Sequence, residues 1–359
     1  SKSADEPLFT GSCFCWVMQK ATKALKKKVI PTIYTSLVNS LILTLIIYKI
    51  GLLCIGYWAS SRSHSGTDFF LGGRNLGPWV AAISSSASSS SAWTLLGVSG
   101  AAFKYGLSAV YIFPACLLGF ILNGYFLAKP IRELSSSQQS VTMTELLSAE
   151  APSKYKKSIT LLASMIILLS LSIYVASQFQ AAGKTFEEIL QIDFFKAVLV
   201  GGGIVFLYTV SGGFWAASIS DLIQGLVMAL AAVIVPLVAL VEVGGFEKML
   251  QSLVMIDPAL TDLTRGKSGL ILVSFVVGTL GIGLGYPGQP HVINRYMALR
   301  SSKDARVVAN ISVGWALIIY AGMLIAGWCG RVLIDALGDE ESVLLQLTTD
   351  LFPPVASGI

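Results

Sequence analysis

Apolar stretches long enough to cross a bilayer recur eight times along the chain, near residues 35–58, 78–103, 107–128, 158–182, 195–211, 215–241, 269–290 and 307–334. About 20 apolar residues span the hydrocarbon layer, and lipid offers a backbone amide no partner, so each stretch reads as a helix. The fifth, built around "VLVGGGIVFLYTV", is short and glycine-rich, which leaves its ends loose. Strong alternation of apolar and polar positions, the mark of a membrane barrel, is absent. The pattern predicts an all-α, multi-pass membrane protein.

Two of these stretches break their own pattern. "SSSASSSSAW", residues 84–93, puts seven hydroxyls inside the second span, and "GLGYPGQP", residues 283–290, puts three glycines and two prolines at the end of the seventh. Proline removes a backbone donor and clashes with the preceding turn, so the seventh span cannot stay helical to its end. Serine can bond back to its own helix or turn to a ligand where the helix opens. Both segments are therefore expected to be discontinuous helices near mid-membrane, where freed carbonyls ligate a cation and half-helix ends orient an ionic solute. If the first span is peripheral, spans two to six form a five-helix unit and span seven opens a second. The breaks then fall in the first helix of each unit, as an inverted repeat requires. The expected organisation is an uncertain basic extension over 1–32 and a transmembrane domain over 33–359. Within that domain the first repeat runs over about 78–241, and an incomplete second repeat starts at about 269.

Composition agrees. The chain has 359 residues, 54% hydrophobic and 13% charged, against about 25% charged in soluble domains. Its mean hydropathy is +0.72. Five scattered cysteines and two histidines suggest neither a disulfide framework nor a metal cluster, and no organic cofactor is implied. Aromatic residues are not interleaved with basic patches, so nucleic acid is not an expected partner. The basic run "KATKALKKK" lacks the apolar segment and cleavage site of a signal peptide. Loops 59–77, 129–157 and 291–306 hold Arg62, Arg74, Lys129, Arg132, Lys154, Lys156, Lys157, Arg295, Arg300, Lys303 and Arg306. The alternate loops hold fewer basic residues, offset by acids. This bias puts the first set in the cytoplasm and the N-terminus outside, in a cytoplasmic (inner or plasma) membrane.

Four stretches carry a family resemblance: "FFLGGRNLGPWVAAISSSAS" (69–88), "AWTLLGVSGAAF" (92–103), "VSGGFWAASISDLIQG" (210–225) and "GLGYPGQPHVINRYMA" (283–298). In these the chain resembles the sodium/solute symporter family, most closely its sodium/proline branch, over about residues 38–359. The resemblance implies two inverted five-helix repeats after at least one leading helix. It implies sodium between the first and eighth core helices and solute beside the breaks in the first and sixth. Residue by residue, it implies sodium ligands at Ala87, Ser89 and Ser90, and a sodium pathway past Asp221. Solute contacts are implied at Ser91, Ala92, Trp93, Tyr174 and Tyr286. Ser89 stands where the proline branch has an aspartate, so weaker sodium binding is expected. Ile282 stands for a pocket tryptophan, and Pro287 for an aromatic. The chain ends at "LFPPVASGI", where the resemblance begins the eighth core helix, so it is expected to be an N-terminal portion that does not transport alone.

The expected function is thus sodium-coupled symport of a small organic solute, with proline the first choice and no covalent chemistry. Asp221, six residues into a span, is functional by default, although it could reach water at the cytoplasmic end. Arg74 is either a topology anchor or a gate. Lys49, inside the first span, has no account beyond a snorkelling stem. Two other readings stand beside transport. "GVSG", residues 97–100, matches a motif of intramembrane serine proteases, with Ser99 as nucleophile and His291 or His64 as base. The domain could also be the membrane sensor of a signalling protein.

Overall fold

The computed structural model describes residues 43–44, 46–61, 65–190 and 192–357. The basic N-terminal run, the start of the first expected span, Arg62 and His64 lie outside the described residues. Every described element is helical apart from one isolated pairing of Leu76 with Leu299.

The expected spans all take shape. An apolar helix α1 covers Ile46–Ser60, and the short α2 covers Gly66–Leu71. The second span is α3 (Pro78–Ser89), an interruption, a π-helical turn over Trp93–Gly97, and α4 (Val98–Tyr105). Gly106, at φ 60, turns the chain into the third span, α5 (Ile112–Ile121) and α6 (Ala128–Ser137), joined by a second π-helical stretch. The short α7 (Met143–Ser148) carries a capping box between Thr142 and Glu145 and leads into α8 (Ser153–Leu190). The fifth and sixth spans form one element, α9 (Phe194–Val243), divided only at Gly213 with φ 56 and ψ −143. The segment "VSGG" is therefore a turn of one residue. Only glycine adopts that conformation freely, and a Cβ there would lie 2.8 Å from the Phe69 ring of α2. After α10 (Phe246–Ile256), the seventh span is α11 (Gly269–Leu280), a 3-10 stretch over Gly281–Gly288, and α12 (Pro290–Met297). The eighth is α13 (Ala305–Leu333), followed by α14 (Val343–Leu351) and α15 (Pro354–Ser357).

α13 is the axis of the core. Its residues Trp315, Ile319, Tyr320 and Met323 are buried against α3, α4, α5 and α9. By contrast, α8 exposes Leu161, Leu162, Ile166, Leu168 and Leu169, an apolar face of the kind that meets lipid. Five helices are long and apolar enough to cross a membrane, and Ile46–Ser60 and Phe194–Leu207 are shorter apolar helices.

The loops separate into two ends. At one, Arg74 donates to the Ser135 hydroxyl and carbonyl and to the carbonyls of Ser140 and Met297, at 2.7–3.1 Å. There Arg132 donates to the Leu299 carbonyl, and Leu76 pairs with Ala298 and Arg300 through its backbone. At the other end Lys104 pairs with Glu340 at 2.8 Å and Lys184 with Asp339 at 3.1 Å. The three loop segments grouped by their basic residues thus meet at one end of the bundle.

Candidate functional site

The serine run forms a helix until Ser89 and then stops. Pro78, at the first helical position, starts it, since its missing donor is one the helix would leave unused. Within α3 the hydroxyls divide their labour. Ser85 donates to the Ala82 carbonyl at 3.0 Å and Ser89 to the Ser86 carbonyl at 2.9 Å, each bonding back one turn. Ser84 and Ser90 turn outward to other helices. Ser90 leaves helical geometry at φ −92 and ψ 88, and its amide donates to the carbonyls of Ser86 and Ala87. Its hydroxyl accepts from the Trp315 indole at 3.3 Å, which fixes the end of α3 against α13. Ala92, the first residue past the gap, has an amide with no carbonyl behind it. The Gln178 side chain of α8 accepts that donor at 3.0 Å. Of the residues implied as sodium ligands, Ala87, Ser89 and Ser90 therefore sit together at the closing turn of α3.

The second interruption lies beside the same helices. Tyr286, in the 3-10 stretch, bonds Tyr320 of α13 at 2.6 Å between hydroxyls, and Tyr320 reaches Thr94, just past the first gap, at 3.4 Å. Asn123 donates to the Tyr286 carbonyl at 3.2 Å. A shared phenol on α13 therefore connects the two breaks. Gly119 makes room for Tyr286, because a Cβ there would come within 2.5 Å of its ring. Tyr286 is 5% exposed and packs against Phe120, so the structure places its side chain in the helical core, away from the cavity described below.

Beyond the second break, α12 carries an arginine that the sequence reading counted as a loop charge. The structure corrects that: Arg295 is 6% exposed. Its guanidinium pairs with the Asp221 carboxylate and donates to the His291 carbonyl, and its Nε donates to the Ser84 hydroxyl at 2.7 Å. Ser84 in turn donates to Asp221 at 3.1 Å. One triad thus ties α3, α9 and α12. Asp221 is partnered by Arg295 rather than reaching water alone. The missing signal was available in principle, since a carboxylate inside a span needs a counter-charge. Arg295, in the half-helix after the second break, was the residue to consider.

A cavity of 270 Å³ opens at the first gap. Ala92, Trp93, Leu96 and Gly97 form one wall, Ser177, Gln178 and Lys184 of α8 the other, and Glu341 its rim. Trp93 is 42% exposed and supplies the aromatic face. Tyr174, one turn before Gln178, is half-buried, its hydroxyl approaches Ser91, and its ring stacks on His291 at 5.7 Å. Ser91, Ala92, Trp93 and Tyr174 are thus brought into one neighbourhood; Tyr286 is on the far side, behind Tyr320. Gln178 is the residue that sequence reasoning missed. Two turns of a lipid-facing helix gave no hint that one carboxamide points inward.

Among the described residues the protease reading finds no geometry. Ser99 is fully buried and donates to the Leu95 and Leu96 carbonyls of its own helix, while His291 stacks on Tyr174. Arg74 is tied to four acceptors at the end of α6, in the chain just after it and on the last residue of α12, which joins the entry to the first broken helix to the exit from the second.

The pattern of the sodium:solute symporter family matches residues 69–359, which includes both breaks and the triad. The chain belongs to this family. It is 32% identical over 326 residues to the osmoregulated proline transporter OpuE of Bacillus subtilis and 33% identical over 312 residues to that organism's high-affinity proline transporter PutP. These alignments cover 89% and 86% of the chain but 65% of each relative. The sodium/proline symporter of Escherichia coli is 30% identical, with 89% of the chain and 64% of the relative covered. The chain therefore spans less than two thirds of the length of the curated relatives it matches. Among solved structures, a substrate-bound, outward-open Na⁺-coupled sialic acid symporter superimposes with a TM-score of 0.75 at 19% identity, covering 89% of this chain and 68% of the other. That likeness gives the fold, the all-α transporter architecture expected from the sequence. Membership places the chain among multi-pass membrane transporters.

Proposed function

We propose that the full-length protein carries a small zwitterionic solute inward together with sodium, with proline the first solute to test. The observation that carries this reading is the opened helix at Ser90–Ala92, where Ala92 borders a cavity and its amide is held by the Gln178 side chain instead of a backbone carbonyl. In this reading Ala87, Ser89 and Ser90 contribute part of the sodium shell, and without a carboxylate at Ser89 the ion is held weakly. The amide of Ala92 begins a half-helix whose positive end suits a carboxylate. In the resting arrangement the Gln178 oxygen occupies that place, and the solute carboxylate displaces it. Trp93 and Tyr174 supply aromatic faces for the solute's apolar and cationic parts. Ser91 lies between ion and solute. Tyr286 acts at one remove, holding the second break against Tyr320. Asp221 lies on the inward sodium path, where its pairing with Arg295 closes the route and sodium's arrival loosens it. Arg74 anchors the end of the bundle where these halves meet. That end faces the cytoplasm, the N-terminus lies outside, and the membrane is the cytoplasmic one. The first repeat covers about 78–241 and the second begins near 269.

The test is uptake of labelled proline, other small amino acids and carboxylates by cells expressing the full-length protein. Saturable uptake of at least one zwitterion, with KM raised at least tenfold in Trp93→Ala, is the expected result. Indifference to every solute in the panel, with the protein present in the membrane, would sink the proposal.

A further inference from the structure

Lys49 has no place in the transport site. It stands within α1 among Ile46, Ile47, Ile50 and Leu53, all exposed apolar residues. Ile46, Lys49, Ile50 and Leu53 follow the i, i+3, i+4, i+7 spacing that puts them on one helix face. That face borders a groove of 350 Å³ whose other side is the start of α9, with Lys196, Val200 and Ile204 one turn apart along it. Neither ammonium forms an ion pair among the described residues. Lys196 is also in the first turn of α9, whose start is capped by the Asp193 carboxylate. Two cations therefore line a groove whose other lining residues are apolar. An ammonium in such surroundings is costly without a counter-charge. Among the described residues the carboxylate beside them, Asp193, is engaged on the Lys196 amide at 3.2 Å and forms no ion pair with either ammonium, and the surface is one that faces lipid.

We propose that the groove between α1 and α9 binds one anionic phospholipid, its phosphate between Lys49 and Lys196 and an acyl chain along Ile50, Leu53, Val200 and Ile204. From Lys196 to Ile204 an apolar trough of about 12 Å runs along α9, eight residues at 1.5 Å each, long enough for part of an acyl chain. A zwitterionic headgroup would bring its own cation to a site that already has two. The site is separate from the solute cavity and stands whether or not proline is carried.

The test uses the full-length protein, purified in detergent and offered phosphatidylglycerol or phosphatidylcholine in equal amounts, with bound lipid counted by native mass spectrometry. Wild type should retain phosphatidylglycerol with a preference of about tenfold. The Lys49→Gln/Lys196→Gln double variant should retain the two lipids equally, and the Lys49→Arg/Lys196→Arg variant should keep the preference. Equal retention by wild type, an undiminished preference in the glutamine variant, or its loss in the arginine variant would each overturn the assignment.

Discussion

Asp221 and Arg295 offer the sharpest perturbation, because two opposite substitutions should partly cancel. In Asp221→Asn the guanidinium keeps its bonds to the Ser84 hydroxyl and the His291 carbonyl, and loses the charge of its third partner. A hydrogen bond to a charged group contributes about 1.5–3 kcal/mol, so a loss near 2 kcal/mol is expected, roughly thirtyfold in any equilibrium the pair controls. Arg295→Met is more severe. It leaves the Asp221 carboxylate, whose side chain is 22% exposed, with the Ser84 hydroxyl as its remaining donor among the described residues. Stripping one partner from a buried pair costs about 3–5 kcal/mol, whereas replacing both by apolar residues of similar volume is close to neutral. The Asp221→Leu/Arg295→Met double variant should therefore be more stable than Arg295→Met alone. Thermal unfolding of the four members of that cycle in the full-length protein gives the coupling. In parallel, initial uptake rates at graded sodium should show Asp221→Asn slowed. Single effects that add to within about 0.5 kcal/mol would refute the pairing, and an unchanged rate and sodium affinity in Asp221→Asn would refute its role in the ion path.

Gln178→Glu places a fixed negative charge on the Ala92 amide, so solute KM should rise at least tenfold while Gln178→Ala changes it far less; equal effects in a transport assay would contradict competition at that donor. Tyr320→Phe removes the hydroxyl that links Thr94 to Tyr286 without emptying the core, and should cost about 1–2 kcal/mol in thermal unfolding. An unaffected melting point would show that the two breaks are not joined there. At the other end of the bundle, the Glu341 amide and then the Lys184 ammonium hold the Asp339 carboxyl below its usual 3.8. A depressed carboxylate stabilises above its unfolded value and loses that contribution as pH falls through the lower folded one. A spin label at Gly338 should thus report the same mobility from pH 5 to 8 and loosen only below about pH 4; a transition near pH 6 would contradict this.

The fold was legible because lipid imposes one rule on every span. The described parts of the eight apolar runs appear as helices, and the irregular residues at 84–93 and 283–290 are places where those helices are interrupted. Serine and proline declared their intent through backbone chemistry alone. Side-chain direction was less readable. Arg295 looks like a loop cation because it follows the seventh span by a few residues, yet α12 is a half-helix that turns it inward to Asp221. Tyr286 carried a solute role by resemblance, and the structure directs its phenol to Tyr320. Gln178 sits in a helix most of whose apolar residues are exposed, so hydropathy could not mark it.

The account turns on the opened helix at Ser90–Ala92 being where an ion drives a solute. The most direct measurement is initial uptake of labelled proline into proteoliposomes holding the full-length protein, with an inward sodium gradient and with sodium equal on both sides. Uptake at least tenfold faster under the gradient, and lost when Ser90→Ala and Trp93→Ala are combined, is the predicted result. The same rate with and without the gradient would contradict sodium coupling, and a double variant as active as wild type would contradict the site.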